Sequence, residues 1–125
     1  MKEIIATKKA PAAIGPYSQA TKFNGLVFVS GQLPIDPETG NLSTGSIGEQ
    51  TTLVMNNVAN IIAEAGSSMD KVLKTTILLK DINDFAEVNE AYGKFFTSNP
   101  PARACFQVAA LPKGASIEIE VICAC

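Results

Sequence analysis

Two stretches of the chain place apolar residues at the three- and four-residue spacing that is typical of an amphipathic helix. The first begins after Ser46, a residue that can cap a helix, and ends at Gly66. Its apolar positions are Val54, Val58, Ile61, Ile62 and Ala65. The second follows Asn83 and Asp84, either of which can cap it, and ends before Asn99-Pro100-Pro101. Its apolar positions are Phe85, Val88, Tyr92, Phe95 and Phe96. The pattern predicts two helices, each with one face to bury.

Shorter β-branched and aliphatic segments predict the strands of a sheet. Ala20–Phe23 and residues 26–30 flank Asn24-Gly25, the dipeptide best suited to a type I′ turn, and therefore predict a hairpin. The other predicted strands are Val72–Leu79, residues 103–108, residues 116–123 and an edge strand at residues 2–5. Because no repeat or linker interrupts this order, we expect a single domain over residues 1–125, with both helices packed on one face of a mixed sheet.

Alternation in the last two predicted strands separates their side chains by face. The first strand carries Arg103, Cys105 and Gln107 on one side and Ala104, Phe106 and Val108 on the other. The second carries an apolar side (Ile117, Ile119, Val121 and Cys123) and a polar side (Glu118 and Glu120). If these strands form a hairpin, Arg103 and Cys105 share one surface with both glutamates.

That surface has two interpretations. In one, Arg103 and a glutamate form a solvated cross-strand ion pair worth under about 1 kcal/mol. In the other, the pair lies at a subunit boundary, where a guanidinium grips a ligand carboxylate and a glutamate holds or activates water. The sequence leaves both open.

Three further positions are candidates for a binding site. Tyr17 lies in a loop, where it covers a small pocket or fills the edge of the core. Gly31, after Ser30, lets a backbone amide approach a ligand or simply ends a strand. Asn89 lies near the apolar stripe of the second helix, where its amide needs partners, in a site or in a local hydrogen bond.

Composition narrows the chemistry. The 125 residues include no histidine, which excludes histidine-based catalytic triads and histidine zinc sites. A net charge of −2 argues against a dedicated nucleic-acid binder. Charged residues make up 18% of the chain, below the usual ~25%, so we expect self-association through the helix-free face of the sheet. Without an apolar run long enough for a signal peptide or a membrane span, the sequence predicts a cytoplasmic protein.

Motifs for common cofactors are absent from the sequence. It contains no glycine-rich nucleotide loop, no HExxH and no EF-hand loop, so we predict neither a metal nor an organic cofactor. Cys105, Cys123 and Cys125 form no CxxC pair, and their odd number favours reduced thiols over a disulfide framework.

Several sequence blocks together resemble the RidA/YjgF family. These blocks are residues 12–20, Ser30-Gly31-Gln32, residues 81–85 with Val88-Asn89, residues 101–106, residues 111–114 and Ile117-Glu118-Ile119. They span nearly the whole chain, and their combination is far more specific than any one of them. The resemblance implies a chorismate-mutase-like α+β fold and a homotrimer whose sheets face inward, with three sites at subunit boundaries.

The resemblance also implies a reaction without a cofactor: hydrolytic deamination of 2-imino acids and their enamine tautomers, such as 2-aminoacrylate and 2-iminobutanoate, to 2-oxo acids and ammonia. These intermediates would otherwise damage pyridoxal-phosphate enzymes. Arg103 then binds the substrate carboxylate, and Glu118 with the Cys105 backbone positions the attacking water. The remaining residues, which line or support the pocket, are Tyr17, Ser30, Gly31 and Asn89.

Two alternatives remain beside this activity. One is a non-catalytic, small-ligand-binding or chaperone-like module with the same fold. The other is a ribonuclease or translation inhibitor, as some relatives are described, although the acidic composition argues against it.

Overall fold

One six-stranded mixed sheet organises the chain in the computed structural model, which describes residues 1–125. The strands are β1 (Glu3–Ile5), β2 (Ala20–Phe23), β3 (Leu26–Gln32), β4 (Val72–Leu79), β5 (Ala102–Gln107) and β6 (Ile117–Ala124). The helices are α1 (Ile47–Glu64) and α2 (Phe85–Gly93). The order across the sheet is β1-β2-β3-β6-β4-β5, and only the β4–β5 pair is parallel. The predicted α+β architecture, two helices on a mixed sheet, is confirmed.

Helix α1 forms where its apolar spacing predicts. The Ser46 hydroxyl accepts a hydrogen bond from the Glu49 amide while the Glu49 carboxylate accepts one from the Ser46 amide, so both ends of a capping box are made. Val54, Val58 and Ile61 have no exposed surface, because this face of the helix covers β3 and β6. None of the helices combines the length and the apolar character that crossing a membrane requires.

Helix α2 is shorter than its apolar stripe predicts. It ends at Gly93, and Phe95 and Phe96 pack against the core from the irregular segment beyond it. The predicted side-chain cap is also different, because Asp84 makes no capping hydrogen bond. Instead, the Asp81 carboxylate accepts from the Asn83 amide and caps a short 3-10 turn that leads into the helix.

The hairpin β2–β3 confirms the turn prediction. Asn24 and Gly25 have φ angles of 50° and 76°, so both central residues adopt the left-handed conformation that a type I′ turn requires. Strand β1 pairs with β2 and forms one edge of the sheet, as expected for residues 2–5.

The predicted hairpin between the last two strands is wrong. Strand β4 lies between β5 and β6, pairing in parallel with β5 and antiparallel with β6. Strand β6 takes the central position because its apolar side chains can be buried completely there, and Ile117 and Ile119 have no exposed surface. Strand β5, which returns from α2, is left at the edge.

This strand order places the candidate residues on opposite faces of the sheet. Arg103 is paired with Thr75 and Cys105 with Ile77, and both β4 residues are buried on the helix-covered face. Glu118 is paired with Leu78, which also pairs with Phe106 on the open face. The expectation that Arg103 and Cys105 share a surface with Glu118 and Glu120 is therefore wrong within one chain.

Candidate functional site

A cavity of about 640 Å³ opens where the loop before β2 meets the ends of β3 and β6. Four residues predicted from the sequence line it: Tyr17, Ser30, Gly31 and Glu118. Glu120 and Lys113 add charged groups to the wall, and Ile14, Leu33 and Ile35 add apolar ones. The cavity thus combines a few convergent polar groups with an apolar lining, the usual character of a small-molecule site.

Gly31 allows the Glu118 carboxylate to lie directly against the backbone of β3. A Cβ atom at Gly31 would overlap with Glu118 Oε2 and would lie only 2.7 Å from Glu118 Cδ. The register between β3 and β6 shifts between Val29 and Gln32, so this contact forms at an irregularity of the ladder. Glycine is needed here for close approach between backbone and side chain.

Ser30 supports the cavity wall. Its hydroxyl donates to the Ser18 carbonyl at 2.6 Å, and its amide donates to the Gln19 carbonyl at 2.9 Å. Both bonds tie the end of β3 to the loop that carries Tyr17. Because the Ser30 hydroxyl already donates its proton to a backbone carbonyl, it holds the Tyr17 loop in place and does not donate to a ligand.

Gln19 is a site residue that sequence reasoning missed. Its side chain is 4% exposed; Oε1 accepts from the Thr7 amide at 2.7 Å, and Nε2 donates to the carbonyls of Thr7 and Pro11 at 3.0 and 2.8 Å. These bonds fold the segment before β2 against the cavity. The only signal in the sequence was its place in the block at residues 12–20.

The carboxyl group of Glu118 is half-buried in the wall of the cavity. Burial raises its pKa above the ordinary value, and the negative charge of neighbouring Glu120 raises it further. A glutamate with a raised pKa is a stronger proton acceptor when ionised, which is the property required of a group that activates water.

The second group of predicted residues lies on the helix-covered face at β5. Arg103 Nη1 donates to Asn89 Oδ1 at 2.5 Å, so the structure brings these two predicted site residues into contact. The guanidinium carbon lies over the rings of Phe85 and Tyr92, at 5.3 and 5.1 Å from their centres. Arg103 therefore faces α2, and the cross-strand ion pair considered for it with Glu118 or Glu120 is wrong.

Cys105 lies two residues beyond Arg103 on the same face. It is half-buried and packs against the core, and burial raises the pKa of its thiol. A thiol with a raised pKa stays protonated at neutral pH, so its side chain is a poor nucleophile. This leaves the backbone of Cys105 as the part available to a reaction.

No set of three or more cysteine, aspartate or glutamate side chains comes together in a way that could hold a metal ion. The candidate residues instead form two groups. The cavity group consists of Tyr17, Ser30, Gly31 and Glu118, and the guanidinium group consists of Arg103, Asn89 and Cys105. Because the groups lie on opposite faces of the sheet, one chain does not bring them together.

Comparison with known proteins identifies the family. A family model described as "Endoribonuclease L-PSP" matches residues 7–125. The human protein named 2-iminobutanoate/2-iminopropanoate deaminase is 49% identical over 122 residues, which cover 98% of this chain and 89% of the human one. A crystal structure from Yersinia pestis, described as a protein of unknown function of the conserved Rid protein family, is 48% identical, covers 100% of both chains and has a TM-score of 0.98. The chain belongs to the RidA/YjgF family.

Names within the RidA/YjgF family are mixed. A structure from Thermotoga maritima with a TM-score of 0.98 and 46% identity, covering 100% of this chain and 98% of that one, is described as a putative endoribonuclease. The resemblance inferred from the sequence blocks is confirmed, and the fold agrees with these neighbours over 98% or more of each chain.

Proposed function

We propose that this protein is a deaminase that hydrolyses 2-imino acids and their enamine tautomers to 2-oxo acids and ammonia. The observation that carries the proposal is 49% identity across 98% of the chain to an enzyme named for this substrate class, 2-iminobutanoate/2-iminopropanoate deaminase. A carboxylate with a raised pKa in a partly apolar cavity and a guanidinium with free donors supply the groups that such a reaction needs.

The active site in this proposal is shared between copies of the chain. Arg103 and Glu118 lie on opposite faces of one sheet, so a second copy must bring its Arg103 to the cavity of the first. The face of the sheet that the helices leave open carries Phe28 and Phe106, whose side chains are 44% and 49% exposed in the single chain. Exposed aromatic side chains of this kind support the burial of this face against other copies of the chain. We infer a homotrimer with sheets facing inward, the number of subunits resting on the family resemblance.

Arg103 anchors the substrate in this scheme. The guanidinium binds the substrate carboxylate through two parallel, charge-assisted hydrogen bonds, with Asn89 holding its Nη1 group. Tyr17 covers the cavity, and Ser30 keeps the Tyr17 loop in place. The carboxylate is a constant feature of 2-imino acids, so this anchor accepts the class as a whole.

Glu118 activates water in the chemical step. An enamine such as 2-aminoacrylate first tautomerises to the imine, whose C2 atom is electrophilic. Glu118, with the Cys105 backbone carbonyl accepting a second hydrogen bond, orients a water molecule and takes its proton as the oxygen bonds to C2. Return of that proton to nitrogen gives a carbinolamine. A second proton then passes from the carbinolamine hydroxyl to nitrogen through Glu118, the C2–N bond breaks, ammonia leaves and C2 keeps its oxygen as the carbonyl of the 2-oxo acid. Water is the only co-reactant.

A coupled assay tests this function. A pyridoxal-phosphate dehydratase generates 2-aminoacrylate from serine, and ammonia release is followed with and without this protein. We expect faster release with the wild-type chain, a large loss with Glu118→Gln, and near wild-type rates with Glu120→Gln as the matched control. Equal rates with and without protein would reject the enzyme and favour the ligand-binding module. Light scattering of the same preparation tests the trimer, which a monomer at micromolar concentration would exclude.

A further inference from the structure

Helix α2 presents three side chains to the Arg103 guanidinium. Phe85, Asn89 and Tyr92 occupy positions i, i+4 and i+7, so they share one face of the helix. Asn89 accepts from Nη1 at 2.5 Å, and the Phe85 and Tyr92 rings lie 5.3 and 5.1 Å from the guanidinium carbon. Both ring distances are within the ~6 Å range of a cation–π interaction.

We propose that Phe85 and Tyr92 are positioning residues that hold the Arg103 guanidinium in the orientation in which it binds the carboxylate of a 2-imino or 2-oxo acid. This inference rests on the proposed function, because it assigns Arg103 the carboxylate anchor. It adds two residues that touch Arg103 and act through it.

The Tyr92 ring is held in place by a hydrogen bond to strand β4. Its hydroxyl lies 2.7 Å from the Thr75 hydroxyl, and both residues are buried. Thr75 is the β4 neighbour of Arg103 in the parallel pair, so the hydrogen bond ties the Tyr92 ring to the strand beside the arginine. Strand β4 thus sets the position of the ring, and the ring sets the position of the guanidinium.

This arrangement leaves the hydrogen-bonding edge of Arg103 free. A guanidinium has five N–H donors in its plane, whereas aromatic rings contact its apolar faces. Asn89 is the hydrogen-bond partner of one of those donors, which leaves others for a ligand. An arginine on an exposed edge strand would otherwise sample many rotamers, and ordering it would weaken ligand binding. Because the guanidinium stacks against α2, the Arg103 side chain is already ordered in the free protein, and ligand binding does not have to order it.

Phe85→Leu is the sharpest test, because Phe85 is 37% exposed whereas Tyr92 is 5% exposed and its loss would open a cavity. We expect the Kd for 2-oxobutanoate and the KM for the imine to rise about two- to fivefold, with kcat within about twofold of wild type. Phe85→Tyr, which keeps the ring, should restore wild-type values. Phe23→Leu is the matched control: Phe23 is 48% exposed on β2, remote from α2, and its loss should change neither constant.

A second background shows whether Phe85 acts through Arg103. In the Arg103→Lys variant, which lacks the planar guanidinium, Phe85→Leu should raise the Kd by less than about half of the fold-change that it causes in the wild-type background. An equal effect in both backgrounds, or no effect in the wild-type background, overturns the proposal. If the wild-type chain binds 2-oxobutanoate but releases no ammonia, the deaminase function fails, and the same Kd comparison still decides the role of Phe85. If the wild-type chain binds no 2-oxo acid, Arg103 is not a carboxylate anchor and the proposal falls with it.

Discussion

Replacing Gly31 with alanine tests the close packing of Glu118 against β3. The φ angle at Gly31 is not in the left-handed region, so alanine fits the backbone and the whole effect comes from the added Cβ atom. That atom would overlap with Glu118 Oε2 and lie 2.7 Å from its Cδ. Since carbon atoms normally approach to about 3.5–4.0 Å, the carboxylate must move by about 1 Å.

The displacement should appear in catalysis far more than in stability. A 1 Å misplacement of a reacting group costs on the order of 100-fold in rate, so we expect kcat for ammonia release to fall by about that factor. The flexible end of Glu118 can rotate away, which limits the loss of folding free energy to about 1 kcal/mol. KM should change little, because the carboxylate anchor Arg103 is untouched.

Two matched variants sharpen the assay. At Gly93 a Cβ atom would meet no other atom within 4 Å, so Gly93→Ala should retain wild-type kcat and serves as the control. Glu118→Asp in the Gly31→Ala background shortens the crowded side chain by one methylene and should recover part of the lost rate. Wild-type kcat in Gly31→Ala would refute the reasoning, as would a loss explained entirely by a fall in Tm.

Three further predictions address single groups. Glu118→Gln should lower kcat more than it raises KM; wild-type kcat should fall as pH drops through the raised pKa of Glu118, a dependence absent from the variant. The folded chain holds the Glu118 proton more tightly than the unfolded chain, so the ionised carboxylate lowers the folding stability at pH values above the unfolded pKa. A thermal melt at pH 7 should therefore show an equal or higher Tm for Glu118→Gln. A lower Tm would contradict this expectation. Arg103→Lys should reduce kcat/KM about ten- to a hundredfold in the ammonia assay, because one of the two hydrogen bonds to the substrate carboxylate, worth roughly 1.5–3 kcal/mol each, is lost. Calorimetry should show a loss of folding stability under about 1 kcal/mol, because the guanidinium no longer stacks on Phe85 and Tyr92. Ser46→Ala should cost about 1 kcal/mol in urea unfolding with kcat unchanged, because it removes the cap of α1 and Ser46 does not line the cavity. A change in kcat would show that α1 contributes to the site.

Local features of this chain follow directly from its sequence. The Ser46 cap with its apolar spacing determines where α1 begins and which face it buries, and Asn24-Gly25 determines the β2–β3 turn. These features depend on residues within a few positions of each other, whose backbone preferences and hydrogen bonds act without the rest of the fold. The sequence blocks indicated that Arg103 and Asn89 both belong to the site, whereas the contact between them was found only in the structure.

The arrangement of the strands was decided by the tertiary structure. Alternation shows which residues share a side of one strand, but not which side faces the helices or which strand lies next to it. With β4 between β5 and β6, Arg103 turns toward α2 and Phe106 toward the open face, the reverse of what an apolar pattern suggests for an edge strand. Pairing between distant segments depends on how completely each strand can be buried, and β6 gained the centre because Ile117 and Ile119 fit beneath the helices. The choice of neighbour for each strand depends on packing throughout the core. No local pattern around Arg103 or Glu118 could therefore show that the two residues lie on opposite faces of the sheet in one chain.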